Sequence, residues 1–139
     1  MKTLNKLQVG DSLPPLEKPP ISRHTLALYC GASFDHNPMH VDSDFAQAAG
    51  MPDVFAHGML SMAYMGQLLT NWVPQQAIRN FKVRFGAIAR LGDVITCQST
   101  VVEKFEVQGE QLLRLTLTAR NQNNDIKLQG EAVVAINHA

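Results

Sequence analysis

Residues 54–73 read VFAHGMLSMAYMGQLLTNWV, an apolar stretch closed at once by Pro74. About twenty such residues suffice to cross a bilayer. Against a span stand His57, Ser61, Gln67 and Asn71 within the stretch, so it predicts a long helix buried in protein, with no membrane involvement. After Pro74 the texture changes. Phe81, Val83 and Phe85 alternate with Lys82 and Arg84, the period-two pattern of a strand with one buried face. Leu91-Gly92-Asp93 marks a turn, and Val94 to Val107 reads as a long strand. Residues 108–110 turn the chain again before Leu112 to Ala119, and Asn121 to Asp125 form a polar turn before Ile126 to Ile136. Four successive strands after one apolar helix pack most simply as an antiparallel sheet curled around that helix, an α+β arrangement with a single core.

Upstream of the helix the signals are weaker. Pro14, Pro15, Pro19 and Pro20 keep the first segment extended or irregular, because proline lacks an amide proton. Ser22 is a candidate N-cap for a short helix through His24, Leu26, Ala27 and Tyr29 that ends near Gly31. Residues 32–44, ASFDHNPMHVDSD, break both periodicities around the turn signal Asn37-Pro38 and read as an ordered loop. Asp42, Ser43 and Asp44 are capping candidates for a short turn, FAQAA, that ends at Gly50. No repeat, low-complexity tract or linker interrupts the chain, so residues 1–139 are expected to form one domain.

Composition narrows the function classes. Twelve Lys and Arg balance twelve Asp and Glu without a basic cluster, which argues against a nucleic-acid partner. The start, MKTLNKLQVGDSLPP, lacks the apolar run of a signal or anchor, and a cytoplasmic protein is the expectation. Cys30 and Cys97 lack the partners of a zinc or redox site and read as small buried residues. No metal is expected.

Asp35 and His40 stand five apart, a spacing that separates side chains on a helix and sends them to opposite faces of a strand. Only an irregular turn, such as Asn37-Pro38 supplies, makes them converge, and Asn37 can hold that turn by bonding its own backbone. A carboxylate and an imidazole aimed at one point can exchange protons near neutral pH. At this spacing alone, a turn cap and a satisfied interior histidine are the commoner pairing. Ala56-His57-Gly58-Met59 opens the apolar helix, where free amides and the dipole can stabilise a carbonyl oxygen gaining negative charge. Taken by itself, Gly58 more often merely relieves crowding where the helix enters the sheet. His57 is expected to be neutral and bonded to nearby backbone or loop carbonyls. Met51, Met59, Met62 and Met65 suit either a channel for a flexible acyl chain or plain core.

In order along the chain, Val9-Gly10-Asp11, Asp35-His36-Asn37-Pro38-Met39-His40-Val41-Asp42, Ala56-His57-Gly58-Met59, Val83-Arg84-Phe85 and Leu91-Gly92-Asp93 resemble the MaoC-like dehydratase family. That family includes (R)-specific enoyl-CoA hydratases and hydratase-type dehydratases of acyl-carrier-protein substrates. The resemblance implies a hot-dog fold and reversible hydration of trans-2-enoyl thioesters to (R)-3-hydroxyacyl thioesters, without metal or organic cofactor. It gives Asp35 and His40 the water and the Gly58 amide the thioester carbonyl. Phe34, Asn37, His57, Met59 and Met62 are the candidate substrate contacts. A homodimer with the acyl pocket at its interface is implied. A subunit that needs a second hot-dog chain and a hot-dog acyl-CoA thioesterase are the alternatives. Two positions depart from the pattern. Phe34 stands where Gly or Ala is common, and Gly66 where some enoyl-CoA hydratases carry serine, which favours the dehydratase branch.

Overall fold

The structure, a computed structural model, describes residues 4–136, and the first three residues of the amino-terminal segment discussed above lie outside the described residues. Helix α1 (Arg23–Ser33) starts as expected, with Ser22 in extended backbone accepting from the Thr25 amide. It runs past Gly31 and stops at Phe34, whose φ of 61° is left-handed. Glycine usually closes a helix in this conformation, because it has no Cβ to crowd the following carbonyl. Helix α2 (Ser43–Ala48) is capped by Asp42, which accepts from the Phe45 amide at 3.1 Å.

Helix α3 spans Gly58–Thr70, shorter than the apolar stretch suggests. Residues 54–57 are extended: the Ala56 amide donates to the Ala89 carbonyl at 2.9 Å, and Phe55 forms an isolated bridge with Arg90. Those backbone groups are held by the 87–93 loop and are unavailable to a helix. None of the helices among the described residues is long and apolar enough to cross a membrane.

Strands β1 (Leu16–Glu17), β2 (Ile78–Phe85), β3 (Thr96–Val107), β4 (Glu110–Arg120) and β5 (Ile126–Ala135) form one antiparallel sheet in the order β1-β3-β4-β5-β2. The four longer strands match the sequence pattern. The two-residue β1 is too short for any periodicity to announce it. Gln108 and Gly109, with φ of 51° and 80°, make the tight turn from β3 to β4, the positive angles that a twisted two-residue hairpin demands. Helix α3 packs against all five strands. Its buried face is Leu60, Ser61, Met65, Leu68 and Leu69, joined in one core by Val101, Leu115, Leu117, Ala132 and Val134 from the sheet. This is the hot-dog arrangement, α+β with the helix as filling.

The loop from Gly86 to Asp93, which follows β2, is fastened by Lys127 of β5. Its carbonyl accepts from the Gly86 and Ala87 amides at 2.9 and 3.3 Å, and its Nζ donates to the Ile88 carbonyl at 3.1 Å. The same ammonium stands 3.6 Å from Asp93 Oδ2, with both side chains about nine-tenths buried (8% and 11% exposed). Asp93 also accepts from the Arg90 amide and from Asn121 Nδ2. Removing one member of a buried ion pair leaves the other uncompensated. Lys127→Met is therefore expected to destabilise the fold by about 3 kcal/mol, read as a lower midpoint in urea unfolding, and adding Asp93→Asn should recover part of the loss.

Candidate active site

The Asp35–His40 loop is built from side chains that cap their own backbone. Ser33 Oγ accepts from the Asp35 amide at 3.2 Å, Asp35 Oδ1 from the Asn37 amide at 3.3 Å, and Asn37 Oδ1 from the Met39 amide at 3.1 Å. Pro38 then starts a single 3-10 turn, Pro38–His40, that Asn37 caps. Aspartate and asparagine favour such local bonds over helix or sheet. Asp53 fixes the surroundings by accepting from Ser43 Oγ at 2.8 Å and the Val54 amide at 2.7 Å, and by pairing with Arg23 of α1. These partners, Ser43 first, hold its carboxyl below the usual range.

His40 is buried at 9% exposure, and its Nδ1 lies 2.7 Å from the Phe55 carbonyl. A carbonyl only accepts, so Nδ1 carries the proton and Nε2 presents a lone pair. That Nε2 stands 4.0 Å from Asp35 Oδ2, on a carboxylate half exposed to solvent. His57, buried at 1% exposure, stacks on the His40 ring with centroids 3.8 Å apart and planes 27° apart. Its Nε2 donates to the Asp35 carbonyl at 3.1 Å, and Tyr29 meets it edge-on at 4.9 Å. His57 thus bonds a loop carbonyl, as expected, and leaves Nδ1 buried without a hydrogen-bond partner. Burial, followed by its neighbour His40, pushes the His57 pKa down despite the opposing pull of Asp35. Asp35, His40 and His57 offer ligand atoms within 4.8 Å of one another.

A cavity of ≈ 310 Å³ opens beside His40. It is lined by Phe55, Ala56, Gly58, Ser61, the Phe85–Ala89 segment and Leu128. Gly58 is the first residue of α3, where amides have no partner within the helix. A Cβ on Gly58 would lie 2.9 Å from Phe85 Cδ1, too close without displacing that ring. The site therefore holds an imidazole with a free nitrogen, a carboxylate 4.0 Å from it, and a helix-start glycine that lines an apolar hollow.

Several expected contacts fall elsewhere. Phe34 is 84% exposed and, among the described residues, meets one ring, His36, edge-on at 5.6 Å. Met59 is half exposed, Met62 is partly buried against the core and Met65 is fully buried, so the methionines line no common channel with the cavity. The carbonyl of Asn37 is spent on its own loop. Gly66 faces Phe81, 3.5 Å from the position of a Cβ, and not the cavity. Cys30 and Cys97 are buried and free, and burial pushes the Cys97 thiol up to about 12. Phe55, Phe85, Ile88 and Leu128 were not anticipated. Ser61 was visible in the sequence only as a polar interruption of the apolar stretch.

A sheet curled around one helix, with a carboxylate and an imidazole close together near the helix start, defines a hot-dog fold with a candidate site at that end. The MaoC-like domain matches residues 6–123, and the chain belongs to that family as a hydratase/dehydratase, a hydro-lyase. It is 31% identical over 118 residues to the (R)-specific enoyl-CoA hydratase of Rhodospirillum rubrum, covering 84% of this chain and 80% of that protein. It is 26% identical over 136 residues to the mitochondrial 3-hydroxyacyl-[acyl-carrier-protein] dehydratase of Arabidopsis thaliana, covering 97% and 80%. Among solved structures, the unliganded R-hydratase PhaJ1 of Pseudomonas aeruginosa superposes with a TM-score of 0.84 at 26% identity, covering 96% of this chain and 85% of that one. The (R)-hydratase from A. caviae gives 0.80, also at 26%, with 93% and 96% covered.

The depressed pKa of His57 makes stability depend on pH. Below the ordinary histidine value of roughly 6.5 the unfolded chain takes up a proton that the folded chain refuses. Stability from this group is therefore complete above that pH and is lost as pH falls through the lower folded value. Urea midpoints at pH 7.5 and 5.5 are expected to differ more in the wild type than in His57→Phe.

Proposed function

We propose that the chain reversibly hydrates trans-2-enoyl thioesters, carried by CoA or acyl-carrier protein, to (R)-3-hydroxyacyl thioesters. The observation that carries this reading is the 4.0 Å gap between His40 Nε2 and Asp35 Oδ2, with His40 and Gly58 both lining one cavity. A water within about 2.8 Å of both atoms can give each a hydrogen bond, which leaves a lone pair for C3. Both partners are acceptors, so the water is oriented by its two hydrogens. The Gly58 amide donates to the thioester carbonyl and draws electrons away from C3. As the new C3–O bond forms, the C2=C3 pair moves toward the carbonyl oxygen, and one water proton passes to the Asp35–His40 pair. A proton returns from the pair to C2, restoring both side chains. The apolar lining of Phe55, Phe85, Ile88 and Leu128 suits an acyl chain.

We also propose a homodimer as the working form. Strand β2 is an edge strand with no neighbour on its outer side among the described residues, and Phe85 and Ile88 beside the cavity are half exposed. A second copy covering this side would bury them.

Purified protein is expected to consume the conjugated absorbance of a trans-2-enoyl-CoA. Asp35→Asn and His40→Ala should each lower kcat by about 10²–10⁴ with circular dichroism unchanged. Wild-type rates in both variants would remove the pair from the mechanism, and release of free thiol from a saturated acyl-CoA in place of hydration would point to a thioesterase.

A further inference from the structure

Ser61 is the one polar residue on the buried face of α3, set among Leu60, Met65 and Leu68 where the helix meets the sheet. It is 1% exposed, and it borders the cavity together with His40 and Gly58. Its hydroxyl makes no hydrogen bond among the described residues. Thr70 on the same helix shows the usual alternative, bonding back to the Gln67 carbonyl at 3.4 Å. The hydroxyl is not sealed in the core, where His57 Nδ1 is the buried side-chain atom left without a partner among the described residues, but opens on the cavity that Ser61 lines. Such a group beside a cavity is satisfied by what enters the cavity.

Ser61 lies three residues beyond Gly58, which places it about 60° around the helix and roughly 4.5 Å further along. Both therefore serve the same hollow. Of the atoms of a bound enoyl thioester, the acyl chain beyond C3 offers nothing to a hydroxyl. The oxygen that becomes the 3-hydroxyl arrives as the water already held by Asp35 and His40. The thioester carbonyl is the polar atom that remains. We propose that Ser61 Oγ–H is a second donor to that carbonyl, completing with the Gly58 amide a two-donor site for the oxyanion. This rests on the hydratase reading above. As water oxygen bonds to C3, the alkene pair moves through C2 and negative charge collects on the carbonyl oxygen. Ser61 gives that oxygen a hydrogen bond without transferring its proton, and the charge disperses when C2 is protonated by the Asp35–His40 pair.

The test is steady-state kinetics of Ser61→Ala and Ser61→Thr in both directions, with the infrared carbonyl band of a bound saturated acyl-CoA as a second measurement. Loss of one oxyanion donor typically costs about 10²–10³ in kcat. Ser61→Ala is expected to lose about a hundredfold in kcat with KM for the enoyl thioester within about twofold. Ser61→Thr, which keeps the hydroxyl, should recover most of that loss. The carbonyl band should move to higher frequency in Ser61→Ala and stay near wild type in Ser61→Thr, a signature that altered packing alone does not produce. If Ser61→Ala does not fold, Ser61→Cys, with a weak donor of similar size, is expected to show the same loss of kcat and the same upward band shift. Wild-type kcat in Ser61→Ala, an unshifted band, or a rise confined to KM for the 3-hydroxyacyl thioester overturns the assignment. If the wild type itself does not hydrate enoyl thioesters, the hydratase reading fails; if it does and Ser61→Ala equals it, only Ser61 fails.

Discussion

The bond from His40 Nδ1 to the Phe55 carbonyl, 2.7 Å long, joins the two irregular segments on which the site is built. On one side is a loop whose shape comes from Ser33, Asp35 and Asn37 bonding their own backbone. On the other is the extended approach to α3, whose backbone is held by the 87–93 loop. With Nδ1 committed, the imidazole can offer only Nε2, and it offers it toward Asp35. His57 repeats the tie in the opposite direction, from the start of α3 to the Asp35 carbonyl. Two histidines, stacked and each bonded across the junction, leave the loop little freedom to move relative to the helix.

The apolar helix and its burial against the sheet then decide where this junction sits. Helix α3 touches every strand, so its position is set by the whole core, and its free first amide emerges beside the cavity. His57, whose buried Nδ1 has no hydrogen-bond partner among the described residues, immediately precedes Gly58, the helix-start residue that lines the cavity together with Ser61. The left-handed Phe34 adjoins Asp35 in sequence. Such features each cost stability, and a fold carries them where the surrounding core fixes the backbone.

Periodicity made the helix and four strands legible, because burial on one face repeats along a regular element. It misplaced the start of α3 by four residues: Val54, Phe55 and Ala56 are as apolar as the helix, and composition does not separate an extended buried segment from a helical one. The convergence of Asp35 and His40 was legible only through the turn at Asn37-Pro38 and the resemblance that those residues carry. The cavity lining was not legible. Phe85 ends a strand and Gly86 to Ala89 follow no period, so nothing local says that they face Gly58. Nothing in the strand pattern of residues 126–136 singles out Lys127, which is buried because the Ile88 carbonyl and the Asp93 carboxylate meet its ammonium.

Gly58 and Phe85 form a steric unit although they lie on different elements, since a methyl group on one would occupy the space of the other's ring. The volume beside the helix-start amide is thus shared between two positions, and a side chain at 58 requires the Phe85 ring to shift. A larger residue at position 58 is accommodated by moving or trimming the side chain at 85, and a trimmed residue at 85 widens the hollow while position 58 stays glycine. The width of the cavity mouth is in this sense a property of the pair, adjustable by paired exchange without touching Asp35 or His40.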